Sequence, residues 1–197
     1  MIAGTETTAT LLSVLTFLLC RNADKLRILC KEIRSLHLQD LNIINLQRLP
    51  YLNACLEEGL RMYPPLRAWW LVWLLKKGQL SAGNSSQEES VAQYAGYTPA
   101  CNFANPHDFV PERWLVEPPE KYAKDNKEVV QPFSYGPRNC IGKNLTYHEM
   151  RLILAIVLWK FDIELADKNS NWIDQKSFGI WKKSPLGVHL CSREDRM

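Results

Sequence analysis

Apolar residues crowd the segment from Thr8 to Leu19 so densely that it predicts a helix buried on most of its faces. After Asn22-Ala23-Asp24, which reads as a cap, Leu26, Leu29, Cys30 and Ile33 recur at helical spacing with Lys and Glu opposite. That pattern predicts an amphipathic helix from Lys25 to about Leu36. A third helix is expected from about Leu49 through Arg61, ended by Pro64-Pro65, because neither proline can continue the ladder. From Leu66 to about Thr98 the periodicity dissolves. A Gly/Pro-bearing loop follows Pro132, then a helix from about Lys143 to Trp159, then short β-like pieces at Phe161–Leu165 and Leu186–Leu190. The expected fold is mainly α with minor β.

Composition changes this picture little. The 197 residues, 46% hydrophobic and 23% charged, can bury one sizeable core, as one domain or two small ones. A net charge of +3 without a Lys/Arg run argues against a nucleic-acid partner. Leu11–Cys20, interrupted by Ser13 and Thr16, and the Trp-rich patch at Leu71–Leu75 both fall short of the roughly 20 apolar residues of a spanning helix. Met1 runs straight into Ile-Ala-Gly-Thr-Glu with no basic leader, so neither a signal peptide nor an anchor is expected in the chain. No two of the six cysteines form a CxxC pair, which disfavours structural zinc. Most are expected to be reduced thiols in apolar or helical surroundings.

Cys140 is the exception. It sits in Phe133-Ser-Tyr-Gly136-Pro-Arg138-Asn-Cys140-Ile-Gly142, just before the helix expected from Lys143. A thiolate that binds a metal gains from nearby backbone N–H groups and from the positive end of a helix. Gly136 and Gly142 permit tight turns and close approach. Arg138 can reach a carboxylate, and Phe133 can limit water. The bland alternative is a cysteine that happens to precede a helix.

These residues match Phe-x-x-Gly-x-Arg-x-Cys-x-Gly at every defined position, and the chain thereby resembles the cytochrome P-450 family, in the style of its fungal microsomal members. The resemblance implies the C-terminal portion of that fold, from the central oxygen-binding helix to the last β elements. It also implies heme (iron protoporphyrin) with Cys140 as axial thiolate, pushing electron density toward O–O cleavage. Arg138 would hold a propionate, and Phe133, Gly136 and Gly142 would shape the pocket.

Further segments gain meaning from the same likeness. Glu58-Gly-Leu-Arg61 alone reads as a helical surface pair. Beside Pro111-Glu-Arg113-Trp114, the resemblance implies a buried structural network of Glu58, Arg61 and Arg113. Ala3-Gly-Thr-Glu6-Thr7-Thr resembles the family's oxygen-binding kink, with Glu6 and Thr7 as the acid–alcohol pair that delivers protons to oxygen; a capping stretch is the alternative. His189 is read as structural.

Residues 67–90 depart from the family pattern, with Trp69, Trp70 and Trp73 among the chain's seven tryptophans. Where the family has a propionate-binding strand and a hairpin ending Pro-Gly-Gly, this chain has Lys76-Lys-Gly-Gln-Leu-Ser. Codons for Lys76–Ser90 can be chosen so that a shifted frame reads such a hairpin. The stretch is therefore read as an atypical, frame-shifted insert, with the family pattern resuming at Val91.

By resemblance the function is heme-thiolate monooxygenation. One atom of O2 enters a small apolar organic substrate, with electrons from an NADPH-dependent reductase, at the cytosolic face of the endoplasmic reticulum membrane. The anchor would belong to a part of the parent enzyme before this chain. The rival readings are a truncated, non-catalytic fragment and a small helical interaction protein without heme.

Overall fold

The computed structural model describes residues 2–66, 97–137, 139–178 and 180–193. The atypical stretch at 67–90 and Arg138 therefore lie outside the described residues.

Helix α1 (Ile2–Arg21) is the central rod. Leu11, Val14, Leu15, Leu18 and Leu19 are all buried, so apolar residues surround its second half as the pattern required. Helix α2 (Ala23–Ile33) buries Leu29 and Ile33 and leaves Arg27 and Lys31 in water. A short helix α3 (Ile43–Gln47) follows, started by the Asn42 side chain, which accepts the Asn45 N–H. Its few residues carry too little periodicity to announce it. Helix α4 (Pro50–Met62) opens on a proline and has no capping side chain of its own. Glu32 of α2 supplies the cap instead, its two carboxylate oxygens each accepting at 2.8 Å from the N–H groups of Tyr51 and Leu52.

After short 3-10 turns at Pro111–Trp114, Glu120–Tyr122 and Lys127–Val129, helix α5 (Lys143–Lys160) packs on α1, α2, α3 and α4 and passes directly into strand β1 (Phe161–Leu165). Arg34 guards that junction, donating to the Leu158 and Phe161 carbonyls and to Asp162. Strand β1 pairs antiparallel with the last strand, β4 (Val188–Ser192), in the register Ile163↔Leu190. The expected last strand thus lies two residues later in the chain. The irregular stretch before it holds a small hairpin of β2 (Ser177–Phe178) and β3 (Ile180–Trp181). Trp181 anchors this end: its indole N–H donates to the Pro64 carbonyl at 2.8 Å and its ring stacks on Tyr63 with centroids 3.9 Å apart. Among the described residues no helix is long and apolar enough to cross a membrane.

Helices α1 and α4 cross closely at Gly59. A Cβ on Gly59 would lie 2.8 Å from Leu15 Cδ2 and 2.9 Å from its Cγ, and Leu15 is itself fully buried. Gly59→Val is therefore expected to destabilise the chain by about 1–3 kcal/mol through overpacking. A lowered urea midpoint with an unchanged slope would show it.

Candidate functional site

Glu58 and Arg61, one turn apart on α4, meet Arg113 from far along the chain. Glu58, Arg61 and Arg113 are each 0% exposed. Glu58 Oε1 accepts from Arg61 Nη2 at 2.8 Å, from Arg113 Nε at 3.2 Å and from the Val110 N–H at 3.0 Å. Its Oε2 accepts from Arg61 Nε and from the Trp114 indole N–H, both at 2.8 Å. Arg61 also donates to the Tyr97, Pro106 and Asp108 carbonyls, and Arg113 to those of Ala104 and Asn105. Arg113 pairs as well with Asp125, whose other oxygen accepts the Ala104 N–H. Two guanidinium groups thus face two carboxylates, which is how buried charges are tolerated. Phe103 lies between them, its centroid 5.0 Å from Arg61 Cζ and 5.5 Å from Arg113 Cζ. Asp125 was not legible beforehand, since nothing in Lys124-Asp-Asn marks a buried partner.

The network anchors the turns that lead to the cysteine loop. Ser134 and Gly136 take positive φ values of 63° and 84°, so the loop needs glycine at 136 for its conformation. The Cys140 N–H donates to the Phe133 carbonyl at 2.9 Å and closes the loop at its neck, while the Asn139 N–H turns back to the Gly136 carbonyl. Gly142 is different: the expected turn is there, closed by the Lys143 N–H donating to the Cys140 carbonyl at 3.3 Å, but its φ of −83° is open to any residue. A Cβ there would make only ordinary contact, 3.9 Å from both Cys140 Sγ and Thr146 Oγ1, so space does not require glycine either. Gly142 is also the N-cap of α5 and brings no capping side chain, so the positive end of the helix is left beside the cysteine.

Cys140 is exposed, and its neighbours in the chain Tyr135, Ile141 and Leu145 are exposed too. An exposed thiol at a helix N-terminus, in a segment that leaves apolar side chains uncovered, suits a flat, apolar, metal-bearing group. The residues present therefore fit heme. Phe133 packs its ring on Tyr147, with centroids 5.2 Å apart.

Glu6 and Thr7 lie on the first turns of α1, which is continuous through this stretch. The Thr8 hydroxyl donates to the Gly4 carbonyl at 2.9 Å and the Thr10 hydroxyl to the Glu6 carbonyl at 2.7 Å, bonds of the kind that bend helices. The Glu6 carboxylate pairs with Lys183 Nζ at 2.6 Å, and the same ammonium donates to Thr10 Oγ1 at 2.8 Å. Lys183 was not anticipated, because only the return of the chain after β3 brings it here.

A family model described as Cytochrome P-450 matches residues 1–68 and 94–190. The chain belongs to the cytochrome P-450 family. It is 49% identical to the cytochrome P-450 monooxygenase efuB of Hormonema carpetanum, over 96% of this chain and 38% of that protein. It is 50% identical to the cytochrome P-450 monooxygenase FUM2 of Gibberella moniliformis, over 95% of this chain and 41% of that one. With the trichothecene C-15 hydroxylase of Fusarium sporotrichioides the figures are 42% identity, 98% and 40%. The chain thus spans about two-fifths of the length of these relatives. Its mostly helical fold with small antiparallel sheets is that of a C-terminal P-450 portion.

The remaining cysteines divide by burial. Cys20, Cys30 and Cys55 lie in helices, as expected for most of them, while Cys101 and Cys191 are exposed. Burial pushes the Cys20 thiol up to about 11, raises Cys30, and pushes the buried Cys55 well above its ordinary value. Brief iodoacetamide treatment of the native, heme-free chain at neutral pH is expected to label Cys101, Cys140 and Cys191 and to spare Cys55. Peptide mass mapping reads the pattern; prompt labelling of Cys55 would contradict it.

Proposed function

We propose that this chain carries the heme-binding and oxygen-handling half of a heme-thiolate monooxygenase that places one atom of O2 into a small apolar organic substrate. The observation that carries the proposal is the exposed Cys140 thiol, set at the N-terminus of α5 in a segment whose Tyr135, Ile141 and Leu145 are also exposed. Cys140 would hold the iron as thiolate and Arg138 would pair with a propionate. Heme bound there would supply the oxygen activation. Phe133 and Gly136 would shape the thiolate pocket and limit water. Glu6 and Thr7 handle protons on the oxygen side, with Lys183 holding the Glu6 carboxylate in place.

Electrons come from an NADPH-dependent reductase, and the whole enzyme works at the cytosolic face of the endoplasmic reticulum membrane. The printed name of one relative, a trichothecene hydroxylase, supports hydroxylation in secondary metabolism as the reaction class. Residues 67–90 are the frame-shifted insert; the interruption of the family match between 68 and 94 supports that reading. Transcript sequence across the stretch tests it.

The test of function is to supply heme to the chain, reduce it, add carbon monoxide and record the spectrum. A strongly red-shifted Soret band is expected, as thiolate ligation requires. Its absence would overturn the proposal.

A further inference from the structure

Behind the cysteine loop, helices α4 and α5 are joined by polar groups that belong to none of the motifs above. The Tyr147 hydroxyl donates to Glu57 Oε1 at 2.7 Å, and Arg151 Nε donates to Asn53 Oδ1 at 2.7 Å. Asn53 and Glu57 stand one turn apart on α4, as Tyr147 and Arg151 do on α5, so the two bonds are successive rungs between facing ridges. Arg151 also covers the Tyr147 ring, its Cζ 5.1 Å from the centroid.

The Tyr147 ring packs on Phe133, and the Phe133 carbonyl is the group that accepts the Cys140 N–H. Lys143, in the first turn of α5, places Nζ 5.9 Å from the Phe133 centroid. Contacts therefore run without a gap from Glu57 through Tyr147 and Phe133 to Cys140.

This arrangement is more than packing requires. Burial raises the Glu57 carboxyl, although the Tyr147 bond and the charges of Lys143 and Arg151 pull the other way. An apolar pair would join two helices without that desolvation cost. A phenol–carboxylate bond adds direction: it fixes the rotation of α5 about its axis as well as its distance from α4.

We propose that Glu57 and Tyr147 are positioning residues for the Cys140 ligand, their hydrogen bond setting the first turn of α5 and, through the Phe133 ring, the placement of the thiol. The inference rests on the reading of Cys140 as the heme ligand.

Tyr147→Phe, Glu57→Leu and Glu57→Gln variants of the full chain test it with two readouts. The first is amide hydrogen exchange in the heme-free chain at residues 139–145, with α2 as internal reference. The second is the fraction of thiolate-type carbon monoxide spectrum after heme loading. Tyr147→Phe and Glu57→Leu are expected to speed exchange at 139–145 by about tenfold, the scale of one lost hydrogen bond to a charged group. They should leave α2 unchanged and lower the thiolate-type fraction. Glu57→Gln keeps an acceptor for the tyrosine and is expected to stay near wild type in both. Wild-type exchange at 139–145 in Tyr147→Phe overturns the inference, with or without heme. So does faster exchange with an undiminished thiolate-type fraction. A wild-type chain without the thiolate band sinks the heme reading alone, and the exchange comparison then still decides whether the pair places the thiol.

Discussion

Glu58→Ala is expected to cost about 3–5 kcal/mol of folding stability, because it strands two fully buried guanidinium groups at once. Glu58 accepts five hydrogen bonds from Arg61, Arg113, Val110 and Trp114. Asp125 answers part of the charge of Arg113 but makes no contact with Arg61 among those described. Against a total of about 5–15 kcal/mol for an ordinary domain, such a loss leaves a large part of the chain unfolded under mild stress. The contrast is Lys168→Ala. Its partner Glu164 is 68% exposed and Lys168 itself 77%, so water replaces the bridge and stability should move by less than about 0.5 kcal/mol. Urea unfolding followed by circular dichroism measures both. Equal midpoints for the two variants would mean that the buried network contributes nothing.

Cys140→Ala is expected to abolish the thiolate-type carbon monoxide spectrum while leaving the fold intact. The side chain is exposed, and the loop is held by the backbone bond from the Cys140 N–H to the Phe133 carbonyl, which alanine preserves. Removing the sulfur therefore removes the ligand and little else. Cys101→Ala and Cys191→Ala are the controls: both cysteines are exposed, but neither precedes a helix N-terminus, and the spectrum should survive in each. A band that persists in Cys140→Ala, or vanishes in Cys101→Ala, would move the ligand elsewhere.

Much of the scaffold was legible in the order of residues. Helices α4 and α5 and strand β1 fall within a residue or two of their expected bounds, because apolar spacing, Pro64-Pro65 and the Gly142 boundary are local signals. Helix α3 escaped notice because five residues give no usable period. Helix α1 begins earlier than Thr8 because its first turns are polar, and its side-chain hydroxyls bond back to helix carbonyls. The cysteine loop and the Glu58, Arg61 and Arg113 set were named from motifs, and the structure brings the latter three into one buried cluster.

By itself, then, the order of residues marked the longer helices and the family and named the candidates for thiolate, acid and alcohol, since each of these depends on neighbours a few positions apart. Tertiary structure alone decided which distant groups complete them. Asp125 beside Arg113, Glu32 at the start of α4, Lys183 against Glu6 and Glu57 against Tyr147 are partners separated by 12 to 177 positions. Such pairs leave no periodic trace, because a buried charge or an open helix end is satisfied by whichever group the packed surfaces bring within hydrogen-bond reach.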